Sequence, residues 1–85
     1  MAKIEIYTWS TCPYCRRAKA LLDAKDVDYT EYDITGDDEA RQRMMERANG
    51  RRTVPQIFIN DVGIGGCDDI HALEDKGELD TLLNG

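Results

Sequence analysis

The chain has 85 residues, a net charge of -6 at pH 7 and three cysteines. This length allows one domain, residues 1–85, built around one core. The acidic balance disfavours nucleic acid as a partner, because phosphate contacts need clustered lysines and arginines. No apolar run approaches the roughly 20 residues of a membrane span, and no signal-peptide pattern precedes the first strand. We therefore expect a cytoplasmic protein with no membrane partner, and an odd cysteine count argues against a disulfide framework.

The first predicted elements are a strand and a helix joined by a cysteine motif. Apolar and polar residues alternate from Ile4 to Thr8, which is the period of a short strand. The motif Cys12-Pro13-Tyr14-Cys15 follows, and a helical run extends from Arg16 to Ala24. This order places Cys12 at the helix N-cap. Pro13 then occupies the first helical position, where its missing N–H costs nothing.

The two cysteines of this motif predict dithiol redox chemistry. The free N–H groups of the first turn and the positive end of the helix dipole point at the Cys12 sulfur and stabilise a thiolate there. Cys15 lies three residues later on the same side of the turn, close enough to form a disulfide. Cys12 is therefore the candidate nucleophile and Cys15 the candidate resolving thiol.

The middle of the chain predicts a second strand and a second helix. The strand lies within Val27 to Ile34, and its alternation breaks between Tyr29 and Tyr32, which indicates a bulge or a short pairing region. Strand, helix, strand in this order implies a parallel pair with a right-handed crossover. The second helix starts within Thr35 to Glu39 and ends at Asn49-Gly50.

The last third predicts a hairpin followed by a helix. Strands at Gln56 to Ile59 and Val62 to Ile64 flank the two-residue turn Asn60-Asp61. A helix runs from Cys67-Asp68 toward Lys76, and Glu78 to Leu83 forms a final helical turn or two. The resulting order is β-α-β-α-β-β-α, a parallel pair and an antiparallel hairpin with helices on both faces.

Two other interpretations of the cysteines were weighed against redox chemistry. A pair of buried core cysteines would not need Pro13 at a helix start. A zinc site of Cys12, Cys15, Cys67 and His71 has acceptable ligand spacing. Structural zinc sites usually close small loops in folds that lack a core, however, and this chain has enough apolar residues to form one. We therefore predict no metal site and interpret His71 as a surface helix residue.

Three segments resemble the signatures of the glutaredoxin family, in the family's order and spacing. They are the motif Cys12 to Cys15, the run Arg-Thr-Val-Pro-Gln-Ile-Phe-Ile from Arg52 to Ile59, and Ile-Gly-Gly-Cys-Asp-Asp from Ile64 to Asp69. The resemblance covers nearly all of the chain and is closest to the short bacterial dithiol glutaredoxins. It implies an α/β, thioredoxin-like fold with a four-stranded mixed sheet. It also implies a glutathione-dependent thiol–disulfide oxidoreductase that reduces protein disulfides and protein–glutathione mixed disulfides.

The same resemblance implies a glutathione site beside Cys12. A cis peptide bond at Val54-Pro55 would turn the Val54 backbone toward an extended peptide, and glutathione is such a peptide. The glycine turn before the last helix would hold the γ-glutamyl end, with backbone N–H groups on its carboxylate and Asp68 on its ammonium. A plain helix cap would explain Asp69 alone and leave the two glycines unexplained. The predicted glutathione-binding residues are Tyr14, Thr53, Val54, Pro55, Gly66, Cys67 and Asp68.

By this interpretation glutathione is a co-substrate and no cofactor is tightly bound. The other partners are disulfide-containing or glutathionylated proteins, and the chain acts as a monomer.

One departure from the family is Trp9, where glutaredoxins commonly carry a lysine or arginine that contacts the glycyl carboxylate. Two alternatives remain open: a redoxin recharged by thioredoxin reductase, and an iron–sulfur carrier whose cluster two subunits share through Cys12 and glutathione. Pro13 and Cys15 count against the second.

Overall fold

Strands and helices alternate along the computed structural model, which describes residues 2–85. In chain order the elements are β1 (Ile4–Thr8), α1 (Pro13–Ala24), β2 (Thr30–Asp33), α2 (Asp38–Arg47), β3 (Gln56–Ile59), β4 (Val62–Gly65), α3 (Cys67–Asp75) and α4 (Leu79–Asn84). The predicted order is confirmed, including the short final helix. None of the helices in the described part of the chain combines the length and apolar character needed to cross a bilayer.

The four strands form one mixed sheet in the order β2-β1-β3-β4. β1 pairs with β2 in parallel, with Tyr7 opposite Tyr32, and pairs antiparallel with β3, with Ile6 opposite Ile57. β3 and β4 form the predicted hairpin. Both turn residues, Asn60 and Asp61, have positive φ (52° and 67°), as a tight two-residue turn requires. This is the thioredoxin-like arrangement that the sequence indicated.

Apolar side chains cover both faces of the sheet. On one face, α1, α3 and α4 pack against β1 and β3 and bury a cluster of Ile4, Ile6, Ala18, Leu22, Ile57, Ile59, Cys67, Ile70, Leu79 and Leu83. On the other face, α2 buries Met44 and Ala48 against Tyr7, Ile34 and Phe58. Because the central strands β1 and β3 contribute to both clusters, their side chains are buried along the whole strand.

The structure supplies the detail of two local predictions. The second strand is only four residues long and pairs with β1 in regular register, so of the two predicted alternatives it has the short pairing region and not the bulge. The irregularity in the sheet lies instead in β3, between Ile57 and Phe58. α2 begins at Asp38, within the predicted segment Thr35 to Glu39, because the Asp37 carboxylate caps it by accepting the Ala40 N–H at 3.0 Å.

A buried ion pair fastens α2 to the sheet. The Glu5 side chain, only 5% exposed, accepts two hydrogen bonds from Arg47, from Nη2 to Oε1 at 2.9 Å and from Nη1 to Oε2 at 3.2 Å. Tyr32 donates to the same carboxylate at 2.8 Å. These bonds, those from Arg47 first, hold the pKa of Glu5 below its ordinary value. The Arg47 guanidinium carbon also lies 4.1 Å from the Phe58 ring centroid, which adds a cation–π contact between α2 and β3.

Candidate functional site

Cys12 occupies the N-cap of α1, as its spacing before Pro13 predicted. Its backbone is extended (φ -100°, ψ 108°), and Pro13 fills the first helical position. The Cys12 Sγ accepts a hydrogen bond from the Cys15 N–H at 3.2 Å and lies 3.6 Å from the Val54 carbonyl oxygen. A sulfur held at the end of a helix by a backbone N–H is in the position where a thiolate is most stabilised.

Cys15 is placed very differently from its neighbour in the motif. It is 1% exposed, whereas Cys12 is half-buried. Burial, and secondly the contact with Cys12, raises the pKa of Cys15 to about 12. The Cys15 thiol therefore stays protonated at neutral pH. The two sulfurs are thus unequal, with one facing the surface at the helix end and the other sheltered behind it.

The segment before β3 forms the wall opposite the cysteines. The Val54-Pro55 peptide bond is cis, as the family resemblance implied. Pro55 and Gln56 are buried, and the Gln56 Nε2 donates to the Thr53 carbonyl at 3.0 Å and to the Thr53 Oγ1 at 3.3 Å. These bonds fix Thr53 and Val54 at the mouth of the site, next to Cys12.

The N-terminus of α3 forms the third side. Gly65 has a φ of +113°, and a β-carbon there would meet the Asp69 carboxylate as well as the Arg51 Nη1 at 2.7 Å. A β-carbon on Gly66 would lie 3.2 Å from the Pro55 carbonyl oxygen. Gly65 is therefore favoured by its positive φ and by the two side chains beside it, and Gly66 by the nearby Pro55 carbonyl. Asp69 accepts the Gly66 N–H at 2.8 Å and pairs with Arg51 at 3.2 Å, and these contacts lower its pKa.

These three sides enclose a cleft of about 230 Å³. All seven residues predicted to bind glutathione line it, namely Tyr14, Thr53, Val54, Pro55, Gly66, Cys67 and Asp68. Sequence reasoning missed two further lining residues, Arg51 and Asp69. Asp69 had been interpreted only as a helix cap, and it is one, but its carboxylate also holds Arg51 in the cleft. The position of Arg51 directly before the Arg52 to Ile59 signature could have drawn attention to it.

The four residues of the alternative zinc interpretation do not form a metal site. Within residues 2–85, no group of three or more His, Cys, Asp or Glu side chains is arranged to hold a metal ion. Cys67 is buried at the start of α3, and burial raises the pKa of its thiol, against the opposing charge of Arg17. His71 is more enclosed than a surface helix residue, since it is half-buried and its Nε2 is shielded from solvent.

Trp9, the departure from the family pattern, follows directly after β1. It is half-buried and packs with Val54 against the cluster on the α2 face of the sheet. The guanidinium carbon of Arg41, from α2, lies 5.0 Å from the Trp9 ring centroid. A cation therefore stands beside position 9, although the side chain at position 9 carries no charge. No local pattern predicts this contact, because Arg41 is 32 residues away along the chain.

A thioredoxin-like fold with an unequal pair of thiols at the start of α1 defines a thiol–disulfide oxidoreductase. Residues 4–64 match the family model Glutaredoxin. A Synechocystis sp. protein named a probable glutaredoxin is 65% identical over 83 residues, which cover 98% of this chain and 94% of that protein. Glutaredoxin 3 of Escherichia coli is 57% identical over 83 residues, covering 98% and 99% of the two chains. The crystal structure of a buckwheat glutaredoxin–glutathione complex superposes with a TM-score of 0.86 at 30% identity, covering 98% of this chain and 77% of that one.

The chain therefore belongs to the glutaredoxin family. It is a glutathione-dependent disulfide oxidoreductase, as the three signatures in its sequence indicated.

Proposed function

We propose that Cys12 is the nucleophile and Cys15 the resolving thiol in reduction of protein disulfides and protein–glutathione mixed disulfides. The observation that carries this assignment is the contrast between the two sulfurs. Cys12 is accessible and accepts an N–H bond at the helix end, whereas Cys15 is buried with a pKa raised to about 12. The Cys12 sulfur is therefore the one that a substrate disulfide can reach, while the Cys15 thiol stays protonated at neutral pH.

Removal of glutathione from a protein needs Cys12 alone. The Cys12 thiolate attacks the glutathione sulfur of the mixed disulfide, and the protein leaves as a thiolate that takes a proton from water. The enzyme then carries a disulfide between Cys12 and glutathione. A second glutathione thiolate attacks the glutathione sulfur of this bond, which releases glutathione disulfide and restores the Cys12 thiolate.

Reduction of a protein disulfide needs both thiols. Cys12 attacks one sulfur of the substrate, forming a mixed disulfide and releasing the other as a thiolate. Cys15, three residues away, donates its backbone N–H to the Cys12 sulfur. Its thiol attacks that sulfur and passes its proton to the substrate sulfur that leaves, while the other substrate thiolate takes a proton from water. The enzyme then holds a Cys12–Cys15 disulfide, which one glutathione thiolate opens and a second one reduces, releasing glutathione disulfide.

Glutathione is proposed to lie extended along the cleft, with its cysteine beside Cys12. The backbone of Val54 is available to pair with it as a short strand. At the α3 end, the N–H groups of Cys67 and Asp68 have no intrahelical acceptor and suit a carboxylate. The exposed Asp68 carboxylate suits the α-ammonium. The Gly66 N–H is already bonded to Asp69, so it positions the turn and does not serve glutathione directly.

At the other end of the tripeptide, Arg41 is proposed to replace the cation that position 9 lacks. Trp9 and Val54 pack on the same cluster, and Arg41 stacks on the indole. A ligand that pairs with Val54 and extends away from α3 would therefore approach the Arg41 guanidinium. We place the reaction in the cytoplasm, where glutathione keeps thiols reduced, and expect the chain to act as a monomer.

The test is to compare two electron donors on one substrate, a glutathionylated peptide. We expect turnover with glutathione and glutathione reductase, and little with thioredoxin and thioredoxin reductase, because the cleft beside Cys12 suits a small anionic peptide. Comparable or faster turnover through thioredoxin reductase without glutathione would overturn the proposal in favour of the redoxin alternative. Anaerobic purification as a brown dimer would instead favour the iron–sulfur carrier.

A further inference from the structure

The arginines nearest the candidate active site differ from most other cations in the molecule. Within residues 2–85, five lysines and arginines pair with carboxylates, namely Lys3, Lys19, Lys25, Arg47 and Arg51. Arg16, Arg17 and Arg52 are exposed and pair with no carboxylate of the described chain within 4.0 Å. We call these three residues the arginine rim. In a chain of net charge -6, unpaired cations gathered at one place need an explanation.

The arginine rim borders Cys12 from two elements. Arg16 lies four residues after Cys12 on α1, and side chains on a helix lean toward its N-terminus, so Arg16 lies over the turn that carries the nucleophile. Arg17 follows, 6.0 Å from the Tyr14 ring centroid. Arg52 precedes Thr53, a residue of the opposite wall of the cleft. The three arginines are therefore carried by the two segments that flank Cys12 and the cleft.

Tyr14 completes the surface between these charges. It is 55% exposed, far more than the other aromatic side chain at the surface, Tyr32 at 38%. Exposed tyrosine and arginine are the side chains most enriched at the centres of protein interfaces. Neither Tyr14 nor the arginine rim is needed to bury the core. Together they form a docking surface for a protein segment that crosses the mouth of the cleft.

We propose that the arginine rim and Tyr14 select protein substrates whose reactive cysteine is flanked by aspartate or glutamate. This inference rests on the proposed function, in which glutathione occupies the cleft and its two carboxylates go to the α3 N-terminus and to Arg41. The rim arginines are then left for the protein half of the mixed disulfide. An extended segment advances about 3.3 Å per residue, so carboxylates within two residues of the cysteine reach the rim on both sides.

The rest of the surface limits this attraction to the active site. Away from the rim, the C-terminal third carries the acidic residues Glu74, Asp75, Glu78 and Asp80, which repel an acidic partner, whereas Asp68 lies in the cleft, where its proposed partner is the ammonium of glutathione. At about 0.1 M salt the screening length is roughly 10 Å, so these distant charges contribute little while contacts at the rim persist. The selectivity is therefore expected to be local, and to fall as salt is raised further.

The experiment uses two decapeptides glutathionylated on a central cysteine, with glutamate or glutamine two residues to each side. Reduced protein in excess is mixed with each peptide at about 0.1 M salt, without free glutathione, and release of the peptide thiol is followed by acid quench and chromatography. This single turnover reports the first attack by Cys12 without any recycling step. The protein variants are Arg16→Gln, Arg17→Gln and Arg52→Gln. Arg43→Gln is the matched control, since Arg43 is an exposed, unpaired arginine on α2.

The wild-type protein should react about five-fold faster with the glutamate peptide than with the glutamine peptide. Each rim variant should reduce that ratio by roughly two-fold or more, whereas Arg43→Gln should leave it unchanged. Equal rates for the two peptides, or an equal loss in Arg43→Gln, would overturn the docking proposal and leave the proposed function intact. Failure to release thiol from either peptide would refute the proposed function, and the docking proposal with it.

Discussion

Replacing Gly65 with alanine tests how the start of α3 is built. Gly65 has a φ of +113°, and an added β-carbon would meet the Asp69 carboxylate and the Arg51 guanidinium. The carboxylate must then move and lose its 2.8 Å hydrogen bond from the Gly66 N–H. The left-handed backbone costs about 1–2 kcal/mol for a residue with a β-carbon, and the lost cap about 0.5–2 kcal/mol. We expect Gly65→Ala to lower the free energy of unfolding by about 3 kcal/mol.

The matched control is Gly77→Ala. Gly77 also has a positive φ, +72°, but a β-carbon there would meet nothing within 4 Å. Gly77→Ala should therefore lower the free energy of unfolding only by the cost of the left-handed backbone, about 1–2 kcal/mol. Urea unfolding measures both values, and the apparent KM for glutathione should rise in Gly65→Ala alone because only that change displaces the cleft wall. If Gly65→Ala proves no less stable than Gly77→Ala, or binds glutathione as well as wild type, our account of the α3 turn is wrong.

Three further predictions concern the thiols, the ion pair and the glycyl end of glutathione. Iodoacetamide at neutral pH should label Cys12 and spare Cys15 in the native reduced protein, because burial raises the pKa of Cys15 to about 12; comparable labelling in a peptide digest would contradict this. Arg47→Met should cost roughly 2–3 kcal/mol in urea unfolding, because the buried Glu5 carboxylate loses both Arg47 hydrogen bonds and keeps only the Tyr32 hydroxyl and, at 3.8 Å, the Lys3 ammonium. Adding Glu5→Gln to the Arg47→Met variant should recover most of that loss, because the buried side chain then carries no charge. Arg47 lowers the pKa of Glu5 in the folded protein. The extra stability of the wild type over Arg47→Met should therefore be complete above pH 4.5, the ordinary pKa of a glutamate, and should disappear as the pH falls through the lowered pKa of Glu5. Arg41→Gln should raise the KM for glutathione about two- to five-fold, with the difference shrinking at high salt; an unchanged KM would remove Arg41 from the site.

The sequence predicted the parts of the fold that depend on local pattern. The alternation in β1, the Cys12-Pro13 helix start and the two-residue turn Asn60-Asp61 each fix an element through backbone chemistry. The cleft was predictable because its residues lie in three short segments that resemble one family. The pattern around Tyr29 could not decide between a bulge and a short pairing region, because β2 is an edge strand with all four residues exposed and no buried face to set an alternation.

Contacts between distant segments were not predictable in the same way. Arg41 reaches Trp9, and Arg51 reaches Asp69, only because the fold brings separate elements together. The alternation in β1 predicts that Glu5, a polar residue, faces solvent. In the structure it is buried beneath α2 with Arg47. Nothing in a single sequence says which arginine of α2 turns inward, so these three pairings required the structure.

The central claim, that Cys12 attacks and Cys15 resolves, is tested most directly by two serine variants on two substrates. Cys12→Ser should lose activity on both a glutathionylated peptide and a protein disulfide, because no other accessible thiol lies at the start of α1. Cys15→Ser should retain removal of glutathione, which needs one thiolate, and lose reduction of the protein disulfide. Equal loss of both activities in the two variants, or retention of either in Cys12→Ser, would contradict the assignment.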